Sequence, residues 1–258
     1  MDNRIITNSS INRLITIAVS HYCEKVRWAL DWLNIPYVEE SHVPLFHRLA
    51  TRQHGGTSVP VLVAEIGAFT DSTDILSYLN TIAPEGQRLY PTETKLCQEV
   101  EQLEELFDTQ LGVNIRRWAY SYGLDDTQMM RRLWSKGTPW FEQVGLAIAF
   151  PVMRRIVQQA YHVTASSAAS SLAEIKQVFE IVNQRLADNR LYLVGDKFSA
   201  ADLTFAALAA PALRPSEHPI ISSQLDEINS EMAAVIQELR ATPAGAYALR
   251  LYRQRHLS

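Results

Sequence analysis

The chain has little of what assigns a protein at a glance. Only two of its 258 residues are cysteine, Cys23 and Cys97, too few for a disulfide framework and suited to a reducing, cytoplasmic setting. It has no long apolar run. The longest, Val144 to Met153, spans ten residues and contains Pro151, far short of the roughly 18 to 20 a bilayer-spanning helix needs. Met1 to Asn12 is polar and lacks the charged-then-apolar pattern of a secretory leader. Basic residues are not in excess: 24 Lys and Arg stand against 28 Asp and Glu. That balance argues against a nucleic-acid partner. No set of His, Cys and carboxylates has ligand spacing, so no metal is expected. What remains is a folded chain, 47% apolar, of one large or two small domains.

The order of elements is more informative. Arg13 to Val19 is a short β-branched run that predicts a buried strand. Ser20 to Cys23 turns directly into a stripe of Val26, Ala29, Leu30 and Leu33, the i, i+3, i+4, i+7 face of a helix stopped by Asn34 and Pro36. Tyr37 to Val43 predicts a second strand, Leu45 to Arg52 a short helix, Val59 to Ala64 a third strand and Ala68 to Thr70 a fourth. Ile75, Tyr78, Leu79 and Ile82 then form a helical stripe behind Asp71 and Ser72, two residue types that cap helices. Beyond residue 83 the patterns are helical only: Leu96 to Ile115 ending on Arg116 and Arg117, Leu172 to Leu186, and Leu225 to Leu239. Tyr120 to Ser171, punctuated by Gly123, Gly137, Pro139 and Pro151, predicts short helices. The division is therefore 1–83, a linker at 84–91, and 92–258. The fold class is α+β, a βαβ-ββα domain followed by an all-α bundle.

Three polar anchors fall in the first domain. Ser20 puts a hydroxyl at a helix N-terminus, where unpaired N–H groups and the dipole favour negative charge and hence a thiolate. Ser72 stands at a second helix start that suits a carboxylate. Between them Val59 precedes Pro60, and a cis bond there would let the neighbouring backbone face outward to pair with an extended peptide. Taken singly, the serines are ordinary caps and Pro60 an edge-strand proline. Their order in one βαβ-ββα unit carries the weight.

The runs SHYCEKVRWAL after the first strand, SVPVLV in the middle and DSTDILSYL at the end resemble a glutathione S-transferase. The resemblance extends to GDKFSAAD at Gly195–Asp202, similar to the family's buried capping box, with Ser199 capping, Asp202 answering three residues on and Phe198 placed to pack on Leu203. It implies a serine-type, bacterial-like member: a thioredoxin-like glutathione-binding domain and a helical domain supplying the pocket for an electrophile. It also implies a cytoplasmic homodimer engaged in detoxification, with glutathione as co-substrate and no membrane or nucleic-acid partner. By the same resemblance Ser20 is the catalytic hydroxyl, Val59 with Pro60 meets the cysteinyl backbone, and Asp71 and Ser72 hold the γ-glutamyl end. Asp71 departs from the family's usual Glu or Gln. His47, Arg52, Gln53 and His54 are all available for the glycyl carboxylate, and Ser58 stands where Lys or Gln is common.

Rival readings accompany this one. Cys23 occupies the second position of the C-x-x-C turn that redox relatives of this fold use, so a glutathione-dependent thiol-disulfide oxidoreductase is one alternative. A non-catalytic glutathione-binding or interaction protein is another. Tyr22 is a phenol donor or a wedge against the neighbouring loop, and Cys97 a packing residue. Trp118, Tyr120, Tyr122, Trp134 and Trp140 are candidates for the electrophile pocket, and aromatics at helical spacing are more often core packing, which is the reading for most of them. Arg250, Arg253, Arg255 and His256 form either a solvated helix end or a cationic lid.

Overall fold

A computed structural model of the chain describes residues 11–255. The first strand β1 (Asn12–Thr16) buries Leu14, Ile15 and Thr16 and runs parallel to β2 (Tyr37–Ser41), with Asn12 opposite Tyr37 and Thr16 opposite Ser41. On its other side β1 pairs antiparallel with β3 (Val61–Ala64), which pairs antiparallel with β4 (Gly67–Phe69), giving the order β2-β1-β3-β4. Parallel neighbours need a crossover. Helix α1 (His21–Trp32) supplies it, and α2 (His47–Arg52) and α3 (Ser72–Ile82) complete the unit. This is the expected thioredoxin-like arrangement. The strands are shorter than the apolar runs suggest: β1 stops before Ile17, because the chain must turn into α1, and β3 begins only after Pro60, which has no N–H for the ladder.

After a 3-10 turn (Glu85–Gln87) the chain is helical: α4 (Thr94–Leu106), a π-helical turn (Phe107–Gly112), α5 (Val113–Gly123), α6 (Thr127–Ser135), α7 (Trp140–Ala160), α8 (Ala165–Arg185), α9 (Ala200–Leu213), α10 (Ser230–Arg240) and α11 (Pro243–Arg255). Helix α9 is the axis of this half. Nearly every residue of it is buried, and its alanines let α1, α4, α5 and α11 approach closely. The capping box that opens it is present as expected. Asp202 is fully buried and accepts from Leu193 N (2.7 Å), Ser199 N and Ser199 Oγ (both 2.8 Å) and the Tyr247 hydroxyl. Phe198 packs on the rings of Trp28, Trp32 and Tyr192.

Three expectations are corrected. Tyr120–Ser171 holds α7, 21 residues long, because Leu146, Phe150, Met153 and Val157 bury one face against Trp134 of α6 and against Val43, and this packing carries the helix through Pro151. The stripe Leu96–Ile115 continues to Gly123, so Arg116 and Arg117 lie inside a helix and do not complement its end. Leu225 and Ile228 precede α10, which starts where Asn229 accepts from Glu231 N and Met232 N.

Candidate functional site

The start of α1 is fixed from both sides. Ser20 is its N-cap, half-buried, and its Oγ accepts from Cys23 N at 3.4 Å. The next two side chains reach across to the π-helical turn: His21 Nε2 donates to the Gly112 carbonyl (3.1 Å) and the Tyr22 hydroxyl donates to the Asp108 carbonyl (2.6 Å). Gly112 is required by this approach. A Cβ there would meet Tyr22 Cζ at 2.7 Å. The widened turn thus exposes carbonyls that a regular α-helix would use internally, and α1 takes them. Tyr22 is a wedge of the kind expected, and burial pushes its phenol well above the ordinary range. Burial, with Arg116 adding to it, lowers His21 to about 3 and keeps it neutral.

One turn further along α1, Lys25 is fully buried in an ionic cluster between the two halves. Its Nζ lies 2.7 Å from Asp108 Oδ2, 2.8 Å from Glu104 Oε1 and 3.3 Å from Thr73 Oγ1 in the first turn of α3. Thr73 Oγ1 is 3.1 Å from both carboxylates, and the Tyr90 hydroxyl donates to Glu104 Oε2 at 2.6 Å. Lys25 therefore sets α1, α3 and α4 in one geometry. Asp108 Oδ1 is buried without a partner. Burial raises the Asp108 carboxyl and Lys25 opposes the rise.

Val59 and Pro60, joined by a cis bond, line a cleft of about 560 Å³ together with Ser58, Asp71 and Ser72. Its far wall comes from the helical half: Glu105, Asp108, Thr109, Val113 and Arg116, with Tyr22 between. Four of the five residues expected to bind or activate glutathione thus share one cleft. Ser20 does not line it; Tyr22, two residues on, does. Asp71 is the N-cap of α3, its Oδ1 accepting from Thr73 N (2.8 Å) and Asp74 N (3.3 Å), which occupies that oxygen within its own helix. Ser72 is buried beside it.

The other candidates fall elsewhere. Trp118 and Trp134 are buried core, Tyr120 packs on Trp134 and Tyr161, and Trp140 is exposed on the outside of α7. None of the five candidates for the electrophile pocket lines the cleft beside Val59, but Trp118, Tyr120 and Tyr122 line a separate cavity of about 510 Å³. Helical spacing reports burial, and in this region burial belongs to the packing of α5, α6 and α7. Cys23 is fully buried, and burial raises its thiol above the usual value, with the Arg27 charge and the Ser20 side chain opposing. Cys97 is half-buried and donates to Glu101 Oε1 at 3.6 Å. His47 accepts from Leu45 N (3.1 Å) and burial lowers it to about 4, while His54 lies 3.4 Å from Arg13. Neither they nor Arg52 or Gln53 line the cleft.

At the C-terminal end Arg255 bonds Glu24 and Asp31 (2.7 Å), and Arg250 lies over the Tyr247 ring (5.0 Å). These two fasten α11, whereas Arg253 is exposed, as at a solvated helix end; His256 lies outside the described residues. Among the described residues no group of three or more His, Cys, Asp or Glu is placed to hold a metal ion. No described helix is long and apolar enough to cross a membrane.

Several cleft residues were not singled out from sequence, among them Thr73, Asp108, Val113 and Arg116. Arg116 has its guanidinium 4.2 Å from the Tyr161 ring centroid and 5.7 Å from that of Tyr22, and its Nε is buried with no hydrogen-bond partner. Two aromatic faces hold the cation by its flat sides. Its edge remains available in a cleft otherwise rich in carboxylates. The one signal in the sequence was an Arg-Arg pair inside an aromatic stretch.

Comparison with known proteins matches both halves of the chain to one family. Residues 14–87 match the glutathione S-transferase N-terminal domain and residues 139–255 the glutathione S-transferase C-terminal domain. The chain belongs to the glutathione S-transferase family. Solved structures of similar fold include a glutathione S-transferase of Ceriporiopsis subvermispora in complex with glutathione, at 16% identity, TM-score 0.65, covering 96% of this chain and 98% of that one. The beta-etherase LigF from Sphingobium sp. strain SYK-6 aligns at 17% identity and TM-score 0.59, covering 93% of this chain and 99% of that one. A glutathione S-transferase from Methylobacterium radiotolerans in complex with glutathione sulfonate aligns at 19% identity and TM-score 0.54, covering 93% and 95%. No curated protein matches at the level of sequence.

Proposed function

We propose that the chain is a glutathione transferase in which Ser20 stabilises the glutathione thiolate for attack on an electrophilic, largely apolar substrate. The observation that carries this reading is the cleft itself: Val59, Pro60, Asp71 and Ser72 line it together, next to the helix that Ser20 caps. In this reading the cysteinyl backbone pairs with Val59. The γ-glutamyl carboxylate meets Ser72 at the N-terminus of α3, and the γ-glutamyl ammonium meets the unpartnered Asp108 Oδ1. A free thiol with a pKa near ~8.5 is only about 3% ionised at pH 7. Lowering it by about two units requires roughly 2.7 kcal/mol of preference for the anion. A hydrogen bond from a hydroxyl to a charged acceptor supplies about 1.5 to 3 kcal/mol and a helix N-terminus up to about 2. The thiol proton passes to water, the sulfur lone pair forms the new C–S bond, and the leaving group departs with its electron pair. Tyr22, Pro60 and Val113 offer apolar contact to the substrate, and Arg116 a cation.

The burial of Cys23 and the raised pKa of its thiol favour Ser20 over a redox cysteine. We further propose the division at 84–91, between a thioredoxin-like domain at 1–83 and a helical domain at 92–258, and a cytoplasmic homodimer as the working form. Calorimetric titration with glutathione, followed by conjugation assays on a panel of electrophiles, tests the reading. Binding with turnover supports the transferase. Binding without turnover on any electrophile supports a non-catalytic glutathione-binding protein instead, and no binding removes both.

A further inference from the structure

The outer face of α7 has no covering element among the described residues. Trp140, Val144, Ile148, Val152 and Ile156 recur at every fourth position, exposed by between 40% at Ile156 and 79% at Ile148, and Phe141 stands beside the first. The opposite face is already buried against α6 and the strand β2 exit. These six side chains present apolar surface on the order of 700 Å², beyond the roughly 300–600 Å² of the largest patch on a typical monomer and close to the roughly 800 Å² each partner contributes to a stable interface.

The stripe is its own complement. A two-fold axis near Ile148 sets Trp140 against Ile156 of a second copy and Val144 against Val152, and isologous pairing demands this self-matching. The same axis brings the exposed Arg155 onto Phe141 of the second copy, a cation on a ring, whereas parallel helices would confront Arg155 with its own copy. Antiparallel helices also lay their dipoles side by side in opposite senses, which is the favourable arrangement. The stripe is an i±4n ridge, and the exposed Ala147 and Pro151 in the adjoining row leave a shallow groove beside it, so two copies interlock at about −50°. A lipid surface fits less well. A membrane-lying helix keeps a basic face in water, whereas α7 buries its other face, and Arg154 is paired with Asp125.

We propose that α7 is the contact helix of the homodimer, two copies crossing antiparallel near Ile148; this rests on the dimeric reading above and adds the face that forms it. The test uses the full chain with Cys97→Ser. Sedimentation should show that Ile148→Asp weakens association at least about 100-fold, with glutathione binding unchanged. Ile148→Cys should yield a covalent dimer on mild oxidation, while Leu191→Cys, exposed but away from α7, should not. A wild-type chain that is monomeric throughout overturns this assignment together with the dimeric reading. A dimer indifferent to Ile148→Asp, with no cross-link through Cys at 148, overturns the assignment alone. Loss of phosphatidylcholine-vesicle binding in place of dimerisation would overturn it in favour of a lipid surface.

Discussion

Two helix N-termini belong to the candidate site, and they are built differently. At α3 the cap is Asp71, whose carboxylate takes two backbone N–H groups at 2.8 and 3.3 Å. At α1 the cap is Ser20, whose Oγ takes one at 3.4 Å. A carboxylate cap brings its own negative charge to the helix end and satisfies its donors strongly. A hydroxyl brings none and keeps a proton to donate. The difference teaches which end suits which ligand group: the α1 terminus carries no charge of its own against an anion, while the α3 terminus is partly neutralised by Asp71, so in the proposed reading the thiolate belongs at α1 and the γ-glutamyl carboxylate at α3 depends on Ser72. Lys25 holds the two termini in register, bonded from α1 to Thr73 of α3 through the Glu104 and Asp108 cluster.

The largest effect should come from breaking that register. Lys25→Met leaves Glu104 and Asp108 without their cation, and removing one partner of a buried pair costs about 3 to 5 kcal/mol; urea unfolding should show a loss of this size. Next is the α1 cap itself. Ser20→Ala should cut kcat/KM for conjugation about 10- to 100-fold and raise the pKa of bound glutathione thiol by one to two units, read from thiolate absorbance. An unchanged thiol pKa would mean the two termini do not differ in the way described.

The third effect is acid sensitivity, which of the two termini falls on the α1 side; buried His47 and His218, lowered to about 4, add to it elsewhere. His21, its first residue, is held to about 3 by burial and then by the charge of Arg116, against 6.5 in the unfolded chain. The unfolded state therefore binds the proton first, and stability present above pH 6.5 is lost as pH falls toward 3. His21 contributes up to about 1.4 kcal/mol per pH unit across that window. His21→Asn should flatten the slope of unfolding free energy between pH 6 and 4 by that amount. Smallest is the α3 cap: Asp71→Ala should cost about 1 kcal/mol of stability and raise KM for glutathione, with the bound thiol pKa unmoved.

Much of this frame was legible in the sequence because it is local. The capping box Ser199–Asp202, the Ser20 turn, the Val59–Pro60 pair and the four strands each declare themselves within a few residues. What was not legible depends on contacts between distant segments. The π-helical turn at Phe107–Gly112 exists where His21 and Tyr22 of α1 bond its carbonyls, and Gly112 alone gave a hint. Helix α7 runs through Pro151 because Val43 and α6 pack on it, a tertiary effect no propensity reports. The type and position of Trp118, Tyr120, Tyr122, Trp134 and Trp140 do not say whether they face a core or a cavity: Trp118 and Trp134 are core, and Trp118, Tyr120 and Tyr122 border a cavity away from Val59. The charge of Arg116 suggests a helix end, but the helix continues past it to Gly123 and Arg116 lines the cleft.

The account turns on where a glutathione sulfur comes to rest. A crystal structure of the chain with glutathione bound decides it most directly. The prediction is sulfur within hydrogen-bond distance of Ser20 Oγ, the cysteinyl backbone paired with Val59 and the γ-glutamyl carboxylate at Ser72. Sulfur directed at Cys23, or glutathione bound outside the cleft between α3 and the π-helical turn, would contradict it.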